Sequence, residues 1–324
     1  MARFRYAGSV DCGAVMSDTP AIRFEGLVKS YGDVRALDGI DLDVPQGDVF
    51  GFLGPNGAGK TTAIRVLMDL IRPSAGRAEV LGFDAQRDSI EVRRRCGYLP
   101  GDLALYDSLG VDACLDLVAA LCGGVDGRYR DELIERLNLD RTRRVGELSR
   151  GNYQKVGLVI ALMAKPDVLV LDEPTNALDP LVQEEVEAIL REAVDEGRTV
   201  FCSSHVLAEV EQLANRVAML RNGRIVAVND LAEQRRLAPR RVTVTFEEAP
   251  PAAPFERLPG VRLVSLEERD AVFETHDAMH ALIRALAEHP VQTLETHEIT
   301  LEELFLSYYE EPEGVPTGGG AARA

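Results

Sequence analysis

Nine residues near the start of the chain constrain its fold more than any other feature. The segment runs from Gly54 to Thr62 and reads Gly, four residues, Gly, Lys, Thr, Thr. It follows a short apolar run, 49–53, and precedes a helical pattern of apolar residues, 63–70. A phosphate-binding loop requires this context between a strand and a helix. The pattern therefore predicts a P-loop, and a glycine-rich turn with an incidental lysine is the alternative.

Each residue type in this loop suits the binding of phosphate. Glycines allow positive φ, so several backbone N–H groups can turn toward an anion, and the following helix adds the positive end of its dipole. Lys60 would reach the β- and γ-phosphates, and the Thr61 hydroxyl would ligate Mg²⁺. The residues predicted to contact a nucleoside triphosphate are Gly54, Pro55, Asn56, Gly57, Ala58, Gly59, Lys60, Thr61 and Thr62.

The net charge argues against two kinds of binding partner. The 324-residue chain carries a formal net charge of −17. Because phosphate backbones attract clustered Lys and Arg, this charge argues against a nucleic-acid partner, and it would repel an anionic bilayer. No apolar run approaches the roughly 18 residues of a spanning helix. We therefore expect no nucleic acid and no direct membrane insertion. The odd count of five cysteines, without a Cys-x-x-Cys pair, favours reduced thiols in the cytoplasm.

Two neighbouring acids, Asp172 and Glu173, end a continuous apolar run, 168–171. Such a run is typical of a buried parallel strand, and carboxylates at its end are costly unless they meet a metal, a donor or water. Asp172 is predicted to hold Mg²⁺, and Glu173 to accept a proton from the attacking water. Two acids at an exposed strand end are the alternative.

Three other positions are weaker signals by themselves. His205 follows a second buried strand pattern, at the end of the strand where open α/β sheets place ligand contacts, although a structural histidine fits equally well. Ser149 is a natural N-cap whose helix start would face an anion, as would the start of an ordinary capped helix. Tyr31, between the first two predicted strands, is placed to stack on adenine, and a packed surface tyrosine is the alternative.

The order of these motifs resembles the nucleotide-binding subunit of an ATP-binding-cassette (ABC) transporter, over about residues 20–235. The match includes a Tyr-Leu-Pro segment, 98–100, and an Asn-Ala-Leu-Asp loop, 176–179. The resemblance implies an α/β P-loop NTPase fold of the ABC type, with a parallel core sheet, an antiparallel β subdomain and a helical subdomain at about 103–165. It also implies ATP and Mg²⁺ as ligands.

The resemblance implies a head-to-tail homodimer that closes on two ATP molecules. Each ATP would lie between the P-loop of one copy and Ser149, Gly151 and Asn152 of the other. Asp179 would join the two sites across the interface, and Tyr31 would stack on adenine.

The resemblance also assigns catalytic roles. Glu173 is the expected base, His205 the group that senses and orients the γ-phosphate, and Lys60 the cation at the phosphates. These roles describe an ATPase.

A separate transmembrane permease is the second partner implied by the resemblance. The chain would then lie in the cytoplasm, on the inner face of the membrane, and power export of the ABC-2 type for a drug, antibiotic or lipid-like compound. A cassette ATPase acting on ribosomes or DNA is the alternative. A non-hydrolysing ATP sensor is disfavoured because Glu173 is present.

The sequence departs from the family pattern at two places. Arg150 and Asn152 replace the Gly and Gln of the usual Leu-Ser-Gly-Gly-Gln motif. Gly101, followed by Asp102, stands where the family normally has a glutamine that touches Mg²⁺ and the attacking water. We hypothesise that Asp102 takes over this role.

Composition shifts divide the chain into four predicted regions. Residues 1–19 are an N-terminal extension expected to be disordered, with Met16 as an alternative start, and 20–236 are the ATPase domain. Residues 240–310 form a small α+β accessory domain that ends in an amphipathic helix, 301–309, and 311–324 are a mobile tail.

Overall fold

A computed structural model describes residues 19–237, 240–275 and 277–298 of the chain. These residues divide into two compact units. One runs up to His205 and takes in Met219–Ile225, and the other consists of Val206–Ala218 and the chain from Val226 on. The predicted helix 301–309, the predicted tail 311–324 and, except for Thr19, the predicted N-terminal extension lie outside the described residues. The predicted domain boundaries stay predictions.

The described residues form a mixture of strands and helices. The strands are β1 (Ile22–Tyr31), β2 (Val34–Val44), β3 (Val49–Leu53), β4 (Ala75–Val80), β5 (Phe83–Asp84), β6 (Cys96–Leu99), β7 (Val168–Asp172), β8 (Thr199–Ser204), β9 (Arg216–Arg221), β10 (Arg224–Asp230), β11 (Arg240–Phe246), β12 (Val261–Glu267), β13 (Asp270–Thr275) and β14 (Val291–Glu298). The helices are α1 (Lys60–Leu67), α2 (Ser89–Arg95), α3 (Val111–Leu121), α4 (Gly127–Arg136), α5 (Arg150–Leu162), α6 (Pro180–Asp195), α7 (Leu207–Leu213), α8 (Leu231–Leu237), α9 (Ala253–Glu256) and α10 (Met279–Leu286).

A six-stranded sheet of order β10-β9-β3-β8-β7-β6 forms the centre of the fold. Strand β8 runs parallel to both β3 and β7, and β7 runs parallel to β6. Every residue of β3, β7 and β8 is buried, as continuous apolar runs predict for strands covered on both faces. The carboxyl ends of these three strands therefore meet at one edge, which confirms the predicted parallel core.

A second sheet, of order β2-β1-β4-β5, is antiparallel throughout. This confirms the predicted antiparallel β subdomain. Tyr31 is the last residue of β1 and pairs with Val34, so it lies at the end of a strand and not in a link between strands as predicted. The turn between the two residues contains Gly32 at φ 58°, a conformation that suits glycine.

Three helices, α3, α4 and α5, fall within the predicted helical segment, 103–165. Val111, Leu115, Leu133 and Val159 are completely buried, because each lies on the apolar face of its helix. The segment is therefore helical as expected, and its standing as a separate subdomain stays a prediction.

The chain from Arg240 to Glu298 forms a third sheet with its own apolar core. Its elements run β11, α9, β12, β13, α10, β14, and the sheet order β12-β13-β11-β14 is antiparallel throughout. This is the split βαβ arrangement of ferredoxin-like domains. Phe246, Phe255 and Phe273 are fully buried in its core. Such a fold hosts many functions, so the arrangement by itself assigns none.

Candidate active site

The P-loop connects β3 to α1, as its pattern predicts. Gly57 and Gly59 have φ of 82° and 113°, in the region that favours glycine. A Cβ atom at Gly59 would come within 2.5 Å of the Ala36 carbonyl oxygen, and one at Gly54 within 2.3 Å of the Leu220 carbonyl oxygen. The backbone of this loop therefore packs too closely for any larger residue at these two positions.

Lys60 lies beneath the loop as the first residue of α1. Its ammonium group donates to the carbonyl oxygens of Gly54 at 2.6 Å and Pro55 at 3.3 Å, and the residue is only 5% exposed. Burial lowers the pKa of Lys60, while the carboxylates of Glu173 and Asp172 act in the opposite direction. The lysine and the acid pair thus share one electrostatic site. Thr61 and Thr62 follow in the first turn of α1, whose N–H groups have no partners within the helix.

Asp172 ends β7 and is 1% exposed. One carboxylate oxygen accepts a hydrogen bond from the Ser203 hydroxyl. The other, Oδ2, is buried and has no hydrogen-bond partner among the described residues. A Cβ atom at Gly101 would lie 3.0 Å from this oxygen. An unpartnered buried carboxylate oxygen is costly, so the arrangement suits a bound cation or its water shell.

The donor set fits Mg²⁺. Proteins hold this ion through one or two carboxylates together with the phosphates of the substrate, and a P-loop hydroxyl completes the set in related sites. Asp172 and Thr61 are the residues here that match. In the part of the chain that the structure describes, no group of three or more His, Cys, Asp or Glu forms a cage for a metal without a substrate.

Glu173 has φ 53°, an unusual backbone conformation for a residue that is not glycine. Such a conformation costs about 1–3 kcal/mol and persists only where its surroundings hold it. Its N–H donates to the Ser203 carbonyl and hydroxyl oxygens, both at 3.2 Å. Its carboxylate Oε1 lies 2.9 Å from His205 Nδ1, and Asn176 lies within 3.4 Å of Oε2. The structure therefore brings together the predicted base and the predicted switch histidine.

Sequence reasoning missed Gln154 as a member of this site. Its side-chain amide donates to the carbonyl oxygens of Glu173 at 3.2 Å and Pro174 at 3.3 Å. A glutamine inside a helical pattern has no sequence signal of its own, because the contact depends on how two distant segments pack.

Ser149 is the N-cap of α5, as predicted. Its hydroxyl oxygen accepts hydrogen bonds from the Asn152 backbone N–H at 3.4 Å and side-chain amide at 3.2 Å. A Cβ atom at Gly151 would lie 2.7 Å from the Ala177 carbonyl oxygen. The start of α5 therefore packs against the loop that follows Glu173.

Asp179 and Tyr31 are the two remaining residues of the predicted site. Asp179 is the N-cap of α6, where its Oδ1 accepts from the Val182 N–H at 3.1 Å. Tyr31 is half-exposed, and the Lys29 ammonium lies 5.0 Å from its ring centroid. The half-exposed ring leaves a face free for a base. The stacking role stays a prediction.

The structure gives Asp102 a partner other than the one we hypothesised. Its carboxylate accepts from the Arg65 guanidinium at 2.6 Å, and its side chain is 85% exposed. Gly101, not Asp102, approaches the Asp172 carboxylate. The replacement of the usual glutamine by Asp102 therefore remains a hypothesis with no contact in its favour.

The parallel core, the P-loop and the acid pair define an ATPase of the ABC class. Residues 37–176 match the family described as ABC transporter. The chain is also 40% identical over 308 residues to the daunorubicin resistance ATP-binding protein DrrA3 of Streptomyces coeruleorubidus, an alignment that covers 90% of this chain and 96% of that protein. The chain therefore belongs to the ABC transporter family, and it is an ATP-binding subunit with ATPase activity. The comparisons give no support to a role on ribosomes or DNA.

Other relatives agree with this assignment. The bacitracin transport ATP-binding protein BcrA of Bacillus licheniformis is 36% identical over 208 residues, which cover 63% of this chain and 68% of that protein. The solved ATP-binding subunit of an ABC transporter matches with a TM-score of 0.62 and 27% identity over 67% of this chain and 92% of the other. A dimeric bacterial ABC transporter cassette matches with a TM-score of 0.60 and 23% identity over 65% and 98%, which shows a shared fold.

Among the described residues, no helix has both the length and the apolarity needed to cross a membrane.

Proposed function

We propose that two copies of this chain close head to tail on two ATP molecules and power export through a separate transmembrane permease. The names of the relatives support a drug or antibiotic as cargo, since they are daunorubicin resistance and bacitracin transport proteins. The chain would lie on the inner face of the membrane through that permease. ATP binding would close the pair, and hydrolysis would open it again.

The observation that carries the ATP-hydrolysing part of this proposal is the convergence of the site at the ends of three parallel strands. The P-loop follows β3, the acid pair lies at the end of β7 and His205 follows β8. Open α/β sheets bind ligands at this edge, because the carboxyl ends of their parallel strands open there.

The chain's own residues divide the work of hydrolysis. The P-loop N–H groups and Lys60 hold the phosphates, and Glu173 accepts a proton from the attacking water. His205, whose Nδ1 lies 2.9 Å from Glu173, orients that carboxylate and the γ-phosphate. Asp172 and Thr61 would hold Mg²⁺, which when bound neutralises developing charge on the phosphates.

The partner copy would complete each site. The N-cap Ser149 and the first residue of α5 are exposed at the positive end of the helix dipole, and Gly151 and Asn152 lie in the first turn. From the second copy this helix start would face the γ-phosphate, and Asp179 would join the two sites. Tyr31 would stack on adenine at its half-exposed face.

The substitution Glu173→Gln tests this function. An amide cannot accept the proton, so turnover should fall about 10²–10⁴-fold while ATP still binds. With ATP, the variant should migrate as a dimer in light scattering, and without ATP as a smaller species. Glu184→Gln changes an exposed glutamate of α6 in the same way and should leave both measurements unchanged. A Glu173→Gln chain that stays monomeric with ATP would contradict the head-to-tail dimer.

A further inference from the structure

The side chain of Gln154 connects two parts of the site that have different proposed roles. It lies in the second turn of α5, the helix whose start carries Ser149. Its amide nitrogen donates to the carbonyl oxygens of Glu173 at 3.2 Å and Pro174 at 3.3 Å. One amide group thus holds two successive carbonyls of the loop that carries the base.

The two hydrogen bonds from Gln154 hold the strained turn at Glu173. The N–H of this residue is held from β8 by the Ser203 carbonyl and hydroxyl, and its carbonyl is held from α5 by Gln154. The backbone of Glu173, with its φ of 53°, is therefore held by hydrogen bonds from two different elements, β8 and α5. Because the backbone at this residue sets the direction of its side chain, these hydrogen bonds also set where the carboxylate meets His205.

A second contact supports the same connection. Ala177 in this loop also has a positive φ, 63°, and its carbonyl oxygen would lie 2.7 Å from a Cβ atom at Gly151. The first two turns of α5 therefore rest on the loop at two separated points. A movement of the start of α5 would therefore move Glu173, because the helix and the loop that carries Glu173 are already in contact.

We propose that Gln154 is a positioning residue for ATP hydrolysis. It fixes the left-handed turn at Glu173 and ties the base of one site to the helix start that serves the other site. This inference rests on the proposed roles of Glu173 and Ser149. It predicts that loss of the amide donor slows the chemical step while the affinity for ATP is retained.

Two substitutions of Gln154 separate donor loss from loss of volume. Gln154→Met keeps the length of the side chain but removes the donor, and kcat should fall about tenfold with KM for ATP changed less than twofold. Gln154→Glu presents a carboxylate to two carbonyl oxygens, so kcat should fall further. Hydrogen exchange should become faster in the peptide that covers 173–179 in both variants.

Gln183→Met is the matched control. Gln183 donates to the Thr175 carbonyl oxygen at 3.2 Å, so it makes the same type of bond to the same loop, two residues beyond Glu173. Its kcat should stay within twofold of the parent chain. A Gln154→Met chain with the parent's kcat and exchange rates, or one whose loss only equals that of Gln183→Met, would overturn the proposal.

The Glu173→Gln variant measured in parallel separates the two levels of inference. If that variant still turns over ATP, the proposed base and the role of Gln154 are both wrong. If it is inactive while Gln154→Met is fully active, only the role of Gln154 is removed. Thermal unfolding of each variant shows whether it is folded. If Gln154→Glu does not fold, the hydrogen-exchange rates and kcat of Gln154→Met decide the outcome.

Discussion

The edge of the central sheet and the C-terminal sheet differ in how each holds a carboxylate. At the central edge, Asp172 Oδ2 is buried and has no hydrogen-bond partner in the described part of the chain, Lys60 is 5% exposed and Glu173 has a strained backbone. In the C-terminal sheet, Glu274 accepts from Arg241 at 3.1 Å and lies 3.4 Å from Arg262, both on neighbouring strands. The carboxylate of Asp172 therefore keeps an oxygen available for a ligand, whereas the carboxylate of Glu274 is paired within its own sheet.

The largest effect that would sharpen this comparison is expected in the C-terminal core. Phe255→Ala should lower the free energy of unfolding by about 3–5 kcal/mol, because the ring is fully buried between Phe246 and Phe273. Ile283→Ala removes a half-exposed side chain and should change stability by less than about 0.5 kcal/mol. Urea unfolding measures both, and ATP turnover of the folded chain should stay within twofold.

Lys60→Ala should show the opposite pattern at the central edge. Loss of the ammonium group should lower turnover about 10²–10³-fold, since a preorganised charge is removed from the phosphates. Stability should be retained, because the burial that lowers the pKa of Lys60 shows that its charged form is held at a cost. Steady-state ATPase assays and thermal unfolding test this. A large loss of stability with normal turnover would reverse the comparison.

His205→Ala should have a smaller effect than either. The carboxylate of Glu173 keeps Asn176 nearby, so we expect a loss of about ten- to a hundredfold in kcat with little change in ATP binding. His280→Ala, at an exposed position of α10, is the control. Unchanged turnover in His205→Ala would make the histidine structural.

The smallest expected effect is a change in the pH dependence of stability, caused by Tyr98. Burial, with a contribution from Asp172, raises its pKa to about 12 from an unfolded value near 10. The folded state therefore holds this proton more tightly, and the stability that it contributes is complete below pH 10 and lost between pH 10 and 12. Tyr98→Phe should flatten the fall of stability in that window. Urea unfolding across the window gives the measurement, and an identical slope in both chains would contradict the shift.

Local patterns were sufficient for most of the fold. Continuous apolar runs predicted β7 and β8, because burial on both faces of a strand leaves its pattern in the residues themselves. The C-terminal region was predicted as a small α+β domain, but its ferredoxin-like sheet order depends on pairings that no local pattern contains. Tyr31 shows the usual uncertainty at element ends.

The sequence by itself determined the chemistry of the site, since a P-loop and an acid pair need particular residue types at fixed spacing. Only the tertiary structure decided which residues support that chemistry. The pairing of Glu173 with His205, the open oxygen of Asp172 and the two bonds from Gln154 join segments far apart in the chain. Such contacts depend on packing, and packing distances are set by the whole fold and not by neighbours in sequence.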